Sequence, residues 1–176
     1  LKAYNVQDKV TLFYNDYNTY FGIQQTLNLV NFINKDEPEK ICSGIGMQSH
    51  VDIKVPTIEL YGTALEKFLA AGYEVQITEL DVTINYDTNG SYSYADEKET
   101  NADQAKYVGQ LMKTILEKNR SRDKNVNPKG VTGITLWGLY DTISWRASCS
   151  PLLFDTGITD PKASFYEFIN AAKSMG

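Results

Sequence analysis

The chain has 176 residues, 42% of them hydrophobic and 22% charged, with a formal net charge of −5. That length and balance suit one globular domain with a substantial core. The absence of any Lys/Arg cluster argues against a nucleic acid or an anionic membrane as partner, and no apolar run approaches the roughly 20 residues of a membrane span.

In chain order, the run from Lys9 to Asn18 reads as a buried strand whose carboxyl end turns polar and aromatic. Ile23, Leu27, Val30 and Ile33 then recur at helical spacing until Lys35-Asp36-Glu37-Pro38 breaks the pattern. A second strand is predicted over Gly44 to His50. After Pro56, Thr57 is placed to cap a helix with Leu60, Ala64, Leu65 and Phe68 inward and Gly72 as its stop. Val75 to Val82 forms the third strand. A polar segment from about Thr83 to Thr100 follows, carrying Tyr86, Tyr92 and Tyr94. Loops of that length in a compact domain are commonly functional or disordered. Asn101 and Gln104 resemble a capping box for a helix buried through Ala105, Val108, Met112, Ile115 and Leu116. The fourth strand, Gly130 to Trp137, runs into an aromatic loop through Trp145 and Arg146. Asp160 and Pro161 are then placed to open a last helix with Phe165, Phe168, Ile169 and Ala172 inward.

Four strand–helix repeats imply a parallel sheet covered by helices, in which ligands gather at the carboxyl ends of the strands. The chemically rich residues fall at such ends: Asp16 to Asn18, Gln48 and His50, Glu79 and Asp81, and Trp137. Side chains alternate along a strand, so Glu79 and Asp81 share one face, as do Gln48 and His50. Neighbouring strands would set the chain's one histidine beside both acids. A carboxylate at the tip of an apolar run needs partners, and the trio reads as a nucleophile with its support. A lone His without clustered Cys makes a poor metal site. Cys42 and Cys149 fit neither CxxC nor a zinc spacing and are either buried thiols or one bridge. The 12 Tyr and 2 Trp suit a surface that meets uncharged, hydroxyl-rich ligands, or equally half-buried packing positions.

Five segments, taken together, resemble the second half of a glycoside hydrolase family 10 endo-β-1,4-xylanase. They are Leu12 to Asn18, Gly44 to His50, Ile77 to Asp81, Trp137-Gly138 with Asp141 and Ser144-Trp145-Arg146, and Pro151 to Asp155. The resemblance spans essentially the whole chain. It implies an α/β fold, the (β/α)8 TIM barrel, with residues 1–176 supplying the last four β/α units of a single catalytic domain. It implies Glu79 as the nucleophile of a retaining, double-displacement hydrolysis of internal xylan bonds, with His50 bridging Glu79 and Asp81 and no cofactor. Gln48 would bond sugar hydroxyls. Trp137 and Trp145 would line the sugar on the non-reducing side, and Tyr17 and Asn18 would meet the leaving-group side. Retaining chemistry needs a second carboxyl roughly 5–5.5 Å from the first, and a nearby imidazolium would keep Glu79 ionised.

The family's acid/base motif, of the Trp-Asp-Val-Val-Asn-Glu kind, does not occur in this sequence. A full barrel takes about 250 residues, so the fragment alone is expected to be inactive and to need its N-terminal half as a separate or cleaved chain. Bare sheet edges lead to the same expectation of instability as a lone monomer. The start at Leu1 suggests a processed or trimmed product, or a piece of something longer. Xylan is too large to enter cells, so an extracellular or cell-surface location is expected. The alternatives are a non-catalytic carbohydrate-binding half-barrel and a retaining glycosidase for another β-1,4-glycan. The trio argues against the first, because sugar binding by stacking would not require it.

Overall fold

A computed structural model describes residues 10–85 and 99–174. The strands are β1 (Leu12–Asp16), β2 (Cys42–Met47), β3 (His50–Asp52), β4 (Glu74–Thr83) and β5 (Val131–Leu136). The helices are α1 (Ile23–Ile33), α2 (Ile58–Ala70), α3 (Asn101–Ser121) and α4 (Ala163–Ser174). All pairings within the sheet are parallel: β1 with β2, β2 and β3 with β4, and β4 with β5. Four β/α units in chain order, joined by helical crossovers, are half of a (β/α)8 barrel. Tyr86, Tyr92 and Tyr94 lie outside the described residues.

One face of the sheet is apolar and covered. Ile45 and Met47 of β2 and Val75 and Ile77 of β4 are fully buried, in one cluster with Leu65 and Phe68 of α2 and Leu111 and Ile115 of α3. Burying each such side chain contributes about 1.5–3 kcal/mol. Helix α2 follows the sequence reading closely. Thr57 Oγ1 accepts from the Leu60 amide, and Gly72, at φ +78°, closes the far end. There the Tyr73 and Gly72 amides donate to the Phe68 and Leu69 carbonyls, a Schellman closure that needs a left-handed residue.

Three boundaries differ from expectation. The capping box of α3 sits one residue earlier, between Thr100 and Asp103. That frees Gln104 to donate from the interior to the Val82 and Ser150 carbonyls. Helix α4 starts at Ala163, because Pro161 instead bridges Phe154 and Asp160 closes a turn with Thr156. Ala171 rather than Ala172 is the buried alanine of α4. The third difference matters most for the site: the predicted strand Gly44 to His50 is two strands. Ser49 turns left-handed (φ +64°) between β2 and β3, its Oγ held by the Met47 carbonyl and the Tyr61 hydroxyl. Cys42 and Cys149 are buried and do not form a disulfide.

At the amino end of the sheet, polar groups lace the strands together. Lys129 Nζ donates to Glu74 Oε2 at 2.6 Å and to Thr11 Oγ1 at 2.9 Å, while Thr132 Oγ1 donates to Glu74 Oε1 at 2.7 Å. Thr11 precedes one outer strand and Lys129 the other, so their contact requires the sheet to curl. Burial pushes the Glu74 carboxyl up, but the Lys129 and Thr132 hydrogen bonds and the Lys129 charge outweigh it and hold the carboxyl below its usual range. A depressed carboxylate contributes stability above its unfolded value of 4.5, and that contribution is lost as pH falls through the lower folded value. Lys129→Met should therefore destabilise the fold by about 1–2 kcal/mol near neutrality. The deficit should shrink once Glu74 is protonated, as urea denaturation across the acidic range would show.

Candidate active site

Strand β4 carries one more residue than either neighbour. Between the pairs Met47↔Ile77 and His50↔Asp81 it advances four residues against three. Between Ile77↔Ile134 and Leu80↔Leu136 it advances three against two. Such a bulge re-aims side chains. Thr78 and Glu79 are both half-buried where the plain alternation would hide one of them, and Leu80 to Thr83 are all buried.

The bulge and the Ser49 turn bring the predicted trio together. His50 Nε2 lies 3.1 Å from Glu79 Oε2, and His50 Nδ1 lies 3.0 Å from Asp81 Oδ2. The Glu79 side chain keeps 15% of its surface open to solvent, whereas that of Asp81 has none. Glu79 is therefore the carboxylate a ligand can reach, and Asp81 acts from behind the ring. Asn15, on β1, supplies a third contact that sequence reasoning missed. Its Nδ2 donates to Glu79 Oε1 at 3.0 Å, and Thr78 Oγ1 fixes the amide by donating to Asn15 Oδ1 at 2.6 Å. The signal was present, since Asn15 falls inside the strand tip singled out at Leu12 to Asn18, but nothing in one sequence shows which amide faces the acid.

The loop after β5 roofs the trio with rings. The Trp137 and Trp145 ring centroids lie 6.2 Å and 5.0 Å from that of His50, both edge-to-face. Trp145 Nε1 donates to Asp81 Oδ2 at 2.8 Å, and the Arg146 guanidinium lies over the Trp145 ring at 4.4 Å. The loop is tied down by a buried ion pair. Lys162 Nζ donates to Asp141 Oδ2, the Ser150 carbonyl and the Leu152 carbonyl at 2.7–2.9 Å. All three ammonium protons are thus used, and Asp141 Oδ1 takes the Leu152 amide.

Gln48 stands half-buried beside the trio, its carbonyl accepting from the Glu79 amide. Tyr17 and Asn18 follow β1 at the same end of the sheet. Tyr17 is 63% exposed. The Asn18 amide oxygen takes the Tyr20 hydroxyl, so their polar bonds run within their own loop rather than to the trio. Among the described residues, no group of three or more His, Cys, Asp or Glu is arranged to hold a metal ion.

Parallel strands with covering helices, and acids, an imidazole and exposed rings gathered at the strands' carboxyl ends, define the class: part of a (β/α)8-barrel glycoside hydrolase. The chain belongs to glycosyl hydrolase family 10, whose model matches residues 1–171. It is 38% identical to endo-1,4-beta-xylanase A of Butyrivibrio fibrisolvens, covering 92% of this chain and 34% of that protein. To a beta-1,4-xylanase of Dictyoglomus thermophilum it is 34% identical, covering 95% of this chain and 47% of that one. Among solved structures it resembles native xylanase 10C of Cellvibrio japonicus, with TM-score 0.79, 25% identity, 99% of this chain and 38% of that chain covered. An endo-1,4-beta-xylanase from Caldicellulosiruptor owensensis gives TM-score 0.73 at 28% identity, with 93% and 49% covered. The chain thus spans between a third and a half of the length of these relatives.

Gly46 lies against Asn15, and a methyl at its Cα would meet Asn15 Oδ1 at 2.5 Å. Gly46→Ala should therefore displace the Asn15 amide and break its contact with Glu79, leaving the His50 contact in place. A crystal structure of the variant checks this directly.

Proposed function

We propose that this chain is the nucleophile-bearing half of an endo-β-1,4-xylanase that cleaves internal xylan bonds with retention of configuration. The observation that carries the reading is the His50 ring wedged between the partly open Glu79 and the buried Asp81. The ring is hydrogen-bonded to Glu79 through Nε2 and faces Asp81 through Nδ1, so Glu79 is aimed by a ring that the buried acid backs from behind. Glu79 attacks the anomeric carbon as the bond to the leaving oxygen breaks, and a carboxyl from outside this chain gives that oxygen its proton. Water, deprotonated by the same carboxyl, then releases the covalently bound sugar and returns Glu79 to its starting state.

The remaining residues take the substrate. Trp137 and Trp145 offer open ring surface, 46% and 61% exposed, to the sugar on the non-reducing side, and Gln48 bonds hydroxyls near the cleaved bond. Tyr17 and Asn18 meet the leaving-group side. The first four units of the barrel complete the site and cover β1 and β5, each of which pairs on one side only among the described residues. Without them this half is inactive. Because the substrate is a polymer outside cells, the protein works there, secreted or at the cell surface. The relatives named endo-1,4-beta-xylanase support the choice of glycan.

Glu79→Ala in the complete protein should lower xylan hydrolysis by at least about 10⁴-fold while leaving xylan binding nearly unchanged. Surviving hydrolysis would show that the nucleophile lies elsewhere. Binding without cleavage by the unaltered protein would point instead to a carbohydrate-binding half-barrel, and faster cleavage of cellulose than of xylan to a different glycan.

A further inference from the structure

Asp81 is the side chain whose surroundings the mechanism above does not exhaust. It has no exposed surface. One carboxylate oxygen, Oδ2, takes the Trp145 indole and faces His50. The other, Oδ1, is buried with no hydrogen bond among the described residues, and the Arg146 guanidinium stands in front of it, Nη1 at 3.5 Å. A buried carboxylate without a compensating cation is strongly disfavoured. His50 supplies at most one positive charge, and Glu79 and Asp81 together need two.

We propose that Arg146 is a positioning residue that supplies the second charge, holding Asp81 ionised from the loop after β5 and, through Asp81 and His50, keeping Glu79 charged and aimed. The assignment rests on the xylanase reading above and deepens it. The Arg146 side chain is itself only 16% exposed, and its guanidinium lies over the Trp145 ring, so one side chain touches both the acid behind the trio and a ring in front of it. The groups that face Asp81 are Glu79 on β4, His50 on β3, Trp145 and Arg146 on the loop after β5, and Tyr20 on the loop after β1. Tyr20 brings no charge. Burial pushes its hydroxyl up to about 12, with the Arg146 charge pulling down and the Asp81 charge pushing up.

The test uses the complete barrel. Arg146→Met keeps the aliphatic stem and removes the charge, while Arg146→Lys keeps the charge without the planar fork. For Arg146→Met, kcat on xylan should fall about 10- to 100-fold with KM within about threefold. The acidic limb of its kcat/KM profile should move to higher pH by about one pH unit, because a carboxylate that loses a neighbouring cation is harder to ionise. Arg146→Lys should restore the position of that limb and most of kcat. A normal acidic limb in Arg146→Met overturns the proposal, as does a loss confined to KM or to thermal stability. Should Arg146→Met fail to fold, Arg146→Gln decides by the same criteria. Glu79→Ala, run alongside, separates the two ideas. Full hydrolysis in that variant removes the assignment of Glu79 as nucleophile on which the role of Arg146 rests, whereas its loss together with an unaltered Arg146→Met profile removes only the role of Arg146.

Discussion

A carboxylate sealed from water needs charge and hydrogen bonds brought to it, and Asp81 obtains both from three directions: the imidazole of His50, the indole of Trp145 and the guanidinium of Arg146. Those partners come from the strand beside it and from the loop after β5. Surrounding one buried group with these partners therefore ties together two segments far apart in sequence. The exposed acid, Glu79, inherits the result, because it shares the same ring. The sealed acid and the partly open one are joined here through a single imidazole.

Two local departures from regular strand geometry make that arrangement possible. The extra residue in β4 turns Glu79 toward the open end of the sheet while Asp81 stays inside. The left-handed Ser49 opposite lets β3 resume pairing with His50 level with Asp81. Ser49 holds its conformation through the Tyr61 hydroxyl on α2, so a helix on the outer face contributes to the alignment of a ring on the inner one. Behind the loop, the Lys162–Asp141 pair plays the equivalent part. It stakes the chain between Trp137 and Pro151 to the start of α4, with each ammonium proton assigned to an oxygen.

Much of this was legible in the sequence, for definite reasons. The apolar runs at Ile45–Met47 and Val75–Ile77 and the stripe Ala64-Leu65-Phe68 state their burial through spacing, and acids at the end of such a run call for a partner. What could not be read were features that depend on which residue faces which. Glu79 and Asp81 looked equivalent by alternation, and only the bulge distinguishes the open one from the sealed one. Asn15 was within the right strand tip, yet its contact with Glu79 depends on parallel pairing across β2. The α3 cap moved by one residue because Gln104 had a stronger use inside, where its amide meets two carbonyls. Pro161, a frequent helix opener, was taken by a bridge to Phe154.

The Lys129 clasp bears on how such a barrel is put together. A flat ribbon of four strands would have to be bent by whatever closed it, at a cost borne by the joining surfaces. Here the ammonium of Lys129 draws the first and last strands toward a common carboxylate, so the arc of the sheet is held by a contact of its own. The curvature of this half of the barrel is thus written into its own side chains, as an arch is held by its tie.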